Sequence, residues 1–199
     1  MRLFIAIQLN DEMKDALTRL QKQLQRQGVR GNFTRRENLH LTLAFIGEYP
    51  DPYDVKDIME TIDFEPFDIS LDGMGSFGSL WWMGLSNSWS GEEDDCDELK
   101  TLAKHLRHAL ADAGIPYDRE KFSPHITLVR RMKGSAEELT LPHSSMTVSS
   151  ISLMNSEPGS GSPVYKEIAL FRNTDETDAI HDNMFPQNSD KINALTEDL

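Results

Sequence analysis

Hydrophobic positions along this chain change period again and again, and each change marks an element. Residues 2–9 form a short apolar run expected as a buried strand. Asn10 is placed to cap a helix in which Met13, Ala16, Leu17, Leu20 and Leu24 recur at helical spacing, and Gly28 is placed to stop it. The chain then turns to period two. Leu39, Leu41, Leu43 and Phe45 fall on one face of the next strand, and His40 and Thr42 share the other. Asp51 and Pro52 open a second helix carrying Val55, Ile58, Met59 and Ile62. Strands near 66–72 and 80–86 follow, joined by the turn "GMGSFGS".

Much of this pattern then recurs. Leu99, Leu102, Ala103, Leu106, Leu110 and Ala113 mark a helix ending at Gly114. A second strand places Ile126 and Leu128 on one face and His125 and Thr127 on the other. Strands near 145–154 and 163–171, joined by "SEPGSGSP", close the second unit. Helix, glycine stop, His-x-Thr strand and strand pair thus occur twice. The pattern predicts an α+β fold: two pseudo-two-fold-related lobes, each with a mainly antiparallel sheet and flanking helices, facing across a cleft. The internally duplicated domain is expected over 1–172. Residues 173–199, with seven acids and one lysine, are expected as a disordered acidic tail.

The paired motif is where chemistry enters. Composition alone predicts about 0.3 His-x-Thr triplets, so one would carry little weight, but both here lie in period-two strands after a glycine-stopped helix. Residues i and i+2 of a strand lie ~6.5–7 Å apart on one face, so each pair can grip neighbouring atoms of one ligand. Histidine exchanges a proton near neutral pH, and threonine donates to an anionic oxygen without adding charge. Two pairs face to face suit an anion attacked on one side and cleaved on the other, such as a phosphodiester. The pattern does not say which histidine is acid and which is base.

Other candidates fall to plainer readings. Threonine is a poor metal ligand and Cys96 stands alone, so no metal is expected. His105 and His108 lie on the polar side of their helix, His143 in a proline turn and His181 in the tail. "GMGSFG" leads into a strand rather than a helix, unlike a dinucleotide loop. Trp81 and Trp82 alternate, one expected in the core and one exposed.

Charge refines the partner. The net −13 argues against broad nucleic-acid binding, yet residues 30–36 hold three arginines and no acid, and residues 119–133 five bases and one acid. A local anion site on an acidic body is expected, with Arg130 as a further phosphate ligand. No apolar run is long enough to span a bilayer. "MRLFIAIQLND" reads as a first strand rather than a secretory signal, and a lone cysteine suits a reducing cytoplasm.

At "RLFIAI", "ENLHLTLAFIGE", "LWWMGL", "FSPHITLVR" and "YKEIALF" the chain resembles the two-histidine (2H) phosphoesterases, and within them the bacterial and archaeal RNA 2′,3′-cyclic phosphodiesterases, also described as 2′-5′ RNA ligases. The resemblance covers about residues 1–172. It implies metal-independent opening of a 2′,3′-cyclic phosphate to a 2′-phosphate; the expected partners are RNA ends or cyclic nucleotides, with no cofactor and no membrane, and the chain is expected as a monomer. His40 would be the proton donor and His125 the proton acceptor, with Thr42 and Thr127 on the non-bridging oxygens. Two alternatives stand beside this reading: 2′-5′ ligation by the same site, and a non-catalytic binder of phosphorylated RNA ends.

Overall fold

In the computed structural model, which describes residues 1–86 and 97–172, Asn10 caps helix α1 (Asp11–Arg26) by accepting the Met13 N–H at 2.8 Å. Asp51 caps α2 (Pro52–Glu60) through the Tyr53 N–H at 2.9 Å, with Pro52 in the first turn. Helix α3 (Asp97–Asp112) ends as α1 does. Val29 N–H reaches back to Leu24 O at 3.1 Å, and Ile115 N–H to Leu110 O at 2.9 Å. Both reversals require a left-handed residue, supplied by Gly28 at φ 88° and Gly114 at φ 71°.

Nine strands among the described residues form two antiparallel sheets. The first has the order β3 (His40–Glu48), β1 (Arg2–Gln8), β8 (Ser150–Glu157), β9 (Val164–Arg172). The second runs β2 (Arg30–Phe33), β6 (Ile126–Lys133), β5 (Leu80–Ser86), β4 (Phe67–Phe77), β7 (Ser145–Val148). The expected α+β lobes are therefore present, but their strands are exchanged. The pair β4–β5 follows the first histidine strand in sequence yet joins the second in space, and β8–β9 does the reverse. Periodicity says which face a residue takes, not which neighbour completes its ladder, so the exchange was not readable from it. The expected strand near 145–154 breaks at Ser149, where the chain leaves one sheet for the other.

Helices are exchanged as well. Helix α1 lies against β6 and α3 against β3, so each helix covers the histidine strand of the other half. Leu17, Leu20, Leu41, Leu43, Leu102, Leu106, Ile126 and Leu128 are all buried in one continuous core that joins the two lobes. A small second cluster of Phe4, Ala6 and Met154 lies on the cleft side of the first sheet, with Phe45 and Tyr165 against it.

Candidate active site

Each motif is followed by a bulge at the same point. Against β1, Thr42 pairs with Ala6 and Ala44 with Ile5, so Leu43 is the extra residue. Against β5, Thr127 pairs with Trp82 and Val129 with Trp81, so Leu128 is extra. A bulge reverses the alternation beyond it. Leu43 and Ala44 are consequently both buried, as are Leu128 and Val129, and the residue three places after each threonine returns to the threonine's face. Those residues are Phe45 and Arg130, and both line the cleft. Strict alternation assigns Phe45 to the core face with Leu41 and Leu43; the bulge corrects that. It also explains how Arg130 reaches the cleft at all.

His40, Thr42, His125, Thr127 and Arg130 line one cleft of about 1010 Å³ between the sheets. Each imidazole is fixed by the same bond. His40 Nδ1 lies 2.7 Å from Asn38 O, and His125 Nδ1 lies 2.7 Å from Ser123 O, in each case the carbonyl two residues back. A carbonyl only accepts, so Nδ1 carries the proton in both rings and Nε2 is left for chemistry. His40 Nε2 lies 2.9 Å from Thr42 Oγ1.

Aromatic rings back each imidazole. Phe4 and Tyr165 lie 5.0 and 5.3 Å from His40, centroid to centroid. Phe77 and Trp82 lie 5.3 and 6.3 Å from His125. This low-polarity surround lowers the His40 pKa to about 4, chiefly by desolvation; the Asn38 carbonyl works against the shift, and Arg130, His125 and Lys14 add to it. His40 is therefore neutral at pH 7 in the unliganded protein.

Trp82 corrects two expectations. Both tryptophans are half-buried, and the core position on β5 belongs to Met83. The "GMGSFG" stretch is strand, not turn, up to Phe77. A Cβ on Gly75 would sit 2.3 Å from the Trp82 ring, so the glycine makes the slot in which the indole lies beside His125.

Two polar residues invisible to motif reading tie the halves together. Gln21 of α1 donates through Nε2 to Thr34 O at 2.8 Å and Leu128 O at 2.9 Å. Arg107 of α3 donates through Nε to Leu43 O at 3.0 Å and through Nη1 to Glu120 O at 2.8 Å. Leu43 and Leu128 are the two bulge residues. Each helix thus holds the bulge of the opposite motif and the approach to its own. The available signal was a polar residue on an apolar stripe, four places after Leu17 in one helix and after Ala103 in the other.

Asn38 was also missed. It is buried, and its side-chain amide donates to Pro163 O at 2.8 Å while its own carbonyl holds His40. Through it the glycine-rich segment between β8 and β9, which lines the cleft, is joined to the first histidine. Arg36 leaves the expected basic window: its guanidinium is bound to Asp15 at 2.6 Å and Asp11 at 2.9 Å. His105 and His108 are exposed on α3, as their helical positions imply, and His143 is exposed as well. His181 and Cys96 lie outside the described residues. Among the described residues no group of three or more His, Cys, Asp or Glu could hold a metal, and no helix is long and apolar enough to cross a membrane.

The chain is similar to known proteins along most of its length. The model of the LigT like Phosphoesterase family matches residues 7–80 and 92–165. An RNA 2′,3′-cyclic phosphodiesterase of Thermotoga maritima is 29% identical, over 83% of this chain and 92% of that protein. The Escherichia coli protein of the same name is 30% identical, over 71% and 76%. The crystal structure of E. coli LigT complexed with 3′-AMP superposes with a TM-score of 0.71 at 27% identity, over 87% of this chain and 98% of that one. A bulged strand pair presenting two imidazoles to one cleft and a family match spanning both motifs lead to one assignment: the chain belongs to the LigT-like phosphoesterases.

Proposed function

We propose that the chain opens RNA 2′,3′-cyclic phosphate ends to 2′-phosphates, and that residues 1–172 are the phosphoesterase domain that does so. The observation carrying this reading is the matched pair of 2.7 Å bonds that leave both histidines with Nε2 as the working nitrogen in one cleft. Relatives that share most of the chain are named for this activity, and E. coli LigT is known in complex with 3′-AMP and with phosphate.

His125 Nε2 takes a proton from water as the water oxygen bonds to phosphorus. The P–O3′ bond breaks, and His40 Nε2–H protonates the departing 3′ oxygen. Thr42 and Thr127 donate to the non-bridging oxygens, and Arg130 offsets the charge that builds there. Strain in the five-membered ring supplies driving force.

A donor must begin protonated, whereas His40 alone is neutral at pH 7. The phosphate resolves this. Neutral His40 holds the Thr42 hydroxyl proton on Nε2; protonated His40 can no longer accept it, which frees that hydroxyl for an anionic oxygen and leaves Nε2–H for the 3′ oxygen. Anion binding and protonation of His40 therefore favour each other, and the bound diester raises the pKa that burial has lowered.

The test is incubation with 2′,3′-cyclic AMP, followed by chromatography for the ring-opened product, with His125→Ala in parallel. Product from wild type and none from the variant is expected. Binding without turnover would leave a non-catalytic binder of phosphorylated ends.

A further inference from the structure

Resting on that reading, we infer that the β2–β6 ribbon is the track along which an RNA strand leaves the cleft, so that the preferred substrate is an oligonucleotide rather than a cyclic mononucleotide. A cyclic phosphate occupies the 3′ end of an RNA, so the rest of the strand must exit on the 5′ side of the last nucleotide. The distribution of uncompensated charge among the residues lining and flanking the cleft points to the β2–β6 side.

In the ribbon Arg30 pairs with Lys133 and Asn32 with Arg130, so that Arg131 and Met132 together face the single residue Gly31. Arg131 sits at φ 53°, in the left-handed region that non-glycine residues seldom occupy. Arg131 joins Arg130 in the cleft lining, and the bulge sets Arg30 and Lys133 on the same ribbon face as Arg130. The close fit of β2 against β6 needs Gly31, where a Cβ would lie 2.7 Å from Val129 Cγ2. All four cations are exposed, and none is in an ion pair with a described residue.

The opposite wall differs. Its carboxylates already face cations: Glu48 the chain's amino terminus at 3.9 Å, Asp118 the Arg107 guanidinium at 3.8 Å, and Glu157 the Lys166 ammonium at 2.7 Å. Arg2, the cleft cation on that side, lies across the Phe45 ring at 5.2 Å. On a chain of net charge −13, these four cations, which pair with no described acid and start at the phosphate site, form a path that attracts a polyanion.

The experiment compares a short oligouridylate ending in a 2′,3′-cyclic phosphate with 2′,3′-cyclic AMP, using wild type and the Arg30→Ala, Lys133→Ala double variant. For the oligonucleotide KM should rise roughly tenfold in the variant, and the salt slope of log KM should fall by about 0.7 for each cation removed. Both kcat and KM for 2′,3′-cyclic AMP should stay unchanged. Equal effects on the two substrates, or none on either, would overturn the track. Should wild type open neither substrate, the activity itself fails, and anisotropy with an oligouridylate carrying a terminal 2′-phosphate still decides: weaker binding by the variant supports the track, and equal binding removes it.

Discussion

Gln21 and Arg107 occupy the same position in two helices, each ten places after the helix's first residue, and each donates to the carbonyl of the opposite half's bulge residue. They lie 86 residues apart, against 85 for the histidines. The bulge beside each histidine strand is therefore held by a helix-borne donor from the other half.

Removing one donor should loosen that arrangement without abolishing the fold. Gln21→Met keeps side-chain volume but removes the donor to both the Leu128 and Thr34 carbonyls, two bonds whose loss should cost about 1–3 kcal/mol in urea unfolding. The variant should lose kcat more than KM, because the reacting groups are misplaced while the phosphate ligands persist. Loss confined to KM would show that the brace does not position the histidines.

Each histidine should carry a large share of turnover. His40→Ala and His125→Ala should each lower kcat by roughly 10²–10⁴-fold, and the double variant should cost less than the product of the two. The wild-type pH profile should be bell-shaped, with both limbs missing from the double variant. A profile unchanged by either substitution would remove the two-histidine mechanism.

Stability should also report on His40. Its pKa in the folded, unliganded protein is about 4, below the ordinary 6.5, so the unfolded chain binds the extra proton between those values. The stabilisation from a neutral His40 is full above pH 6.5 and is lost as pH falls toward 4, by roughly 3 kcal/mol. Wild type should therefore lose urea-unfolding stability relative to His40→Asn as pH falls from 6.5 toward 4. Parallel curves would contradict the burial argument.

Gly75→Ala tests the indole slot. The new Cβ would lie 2.3 Å from the Trp82 ring, so the ring must move away from its place beside His125. A cost of about 1–3 kcal/mol is expected, with a shift in tryptophan emission and reduced kcat. Unchanged emission would mean the slot yields elsewhere.

Chelation should leave turnover intact. The proposed groups are two imidazoles, two hydroxyls and a guanidinium, a set without the three ligands that zinc sites usually employ. Activity lost in EDTA and restored by zinc would overturn this mechanism.

The candidate site was largely legible because its pattern is local: His40 with Thr42 and His125 with Thr127 each share one strand face, which period two reveals, and all four line one cleft. The fold class was legible for the same reason, through Gly28, Gly114, Asn10 and Asp51. What lay beyond reading depends on distant partners. Phe45 changes face because of a bulge whose evidence is the register with β1. Gln21 and Arg107 read as ordinary helix residues until the carbonyls they reach are seen. Asn38 looks like any loop residue until Pro163 meets it.

The exchanged strands impose an order on assembly. β1 cannot gain its second neighbour until β8 has been made, so a chain interrupted before Ser150 presents an open, apolar strand edge able to recruit other copies. Neither half is a smaller enzyme in waiting. Severing the chain at its midpoint would yield two incomplete ladders, and activity would return only when both fragments were supplied together.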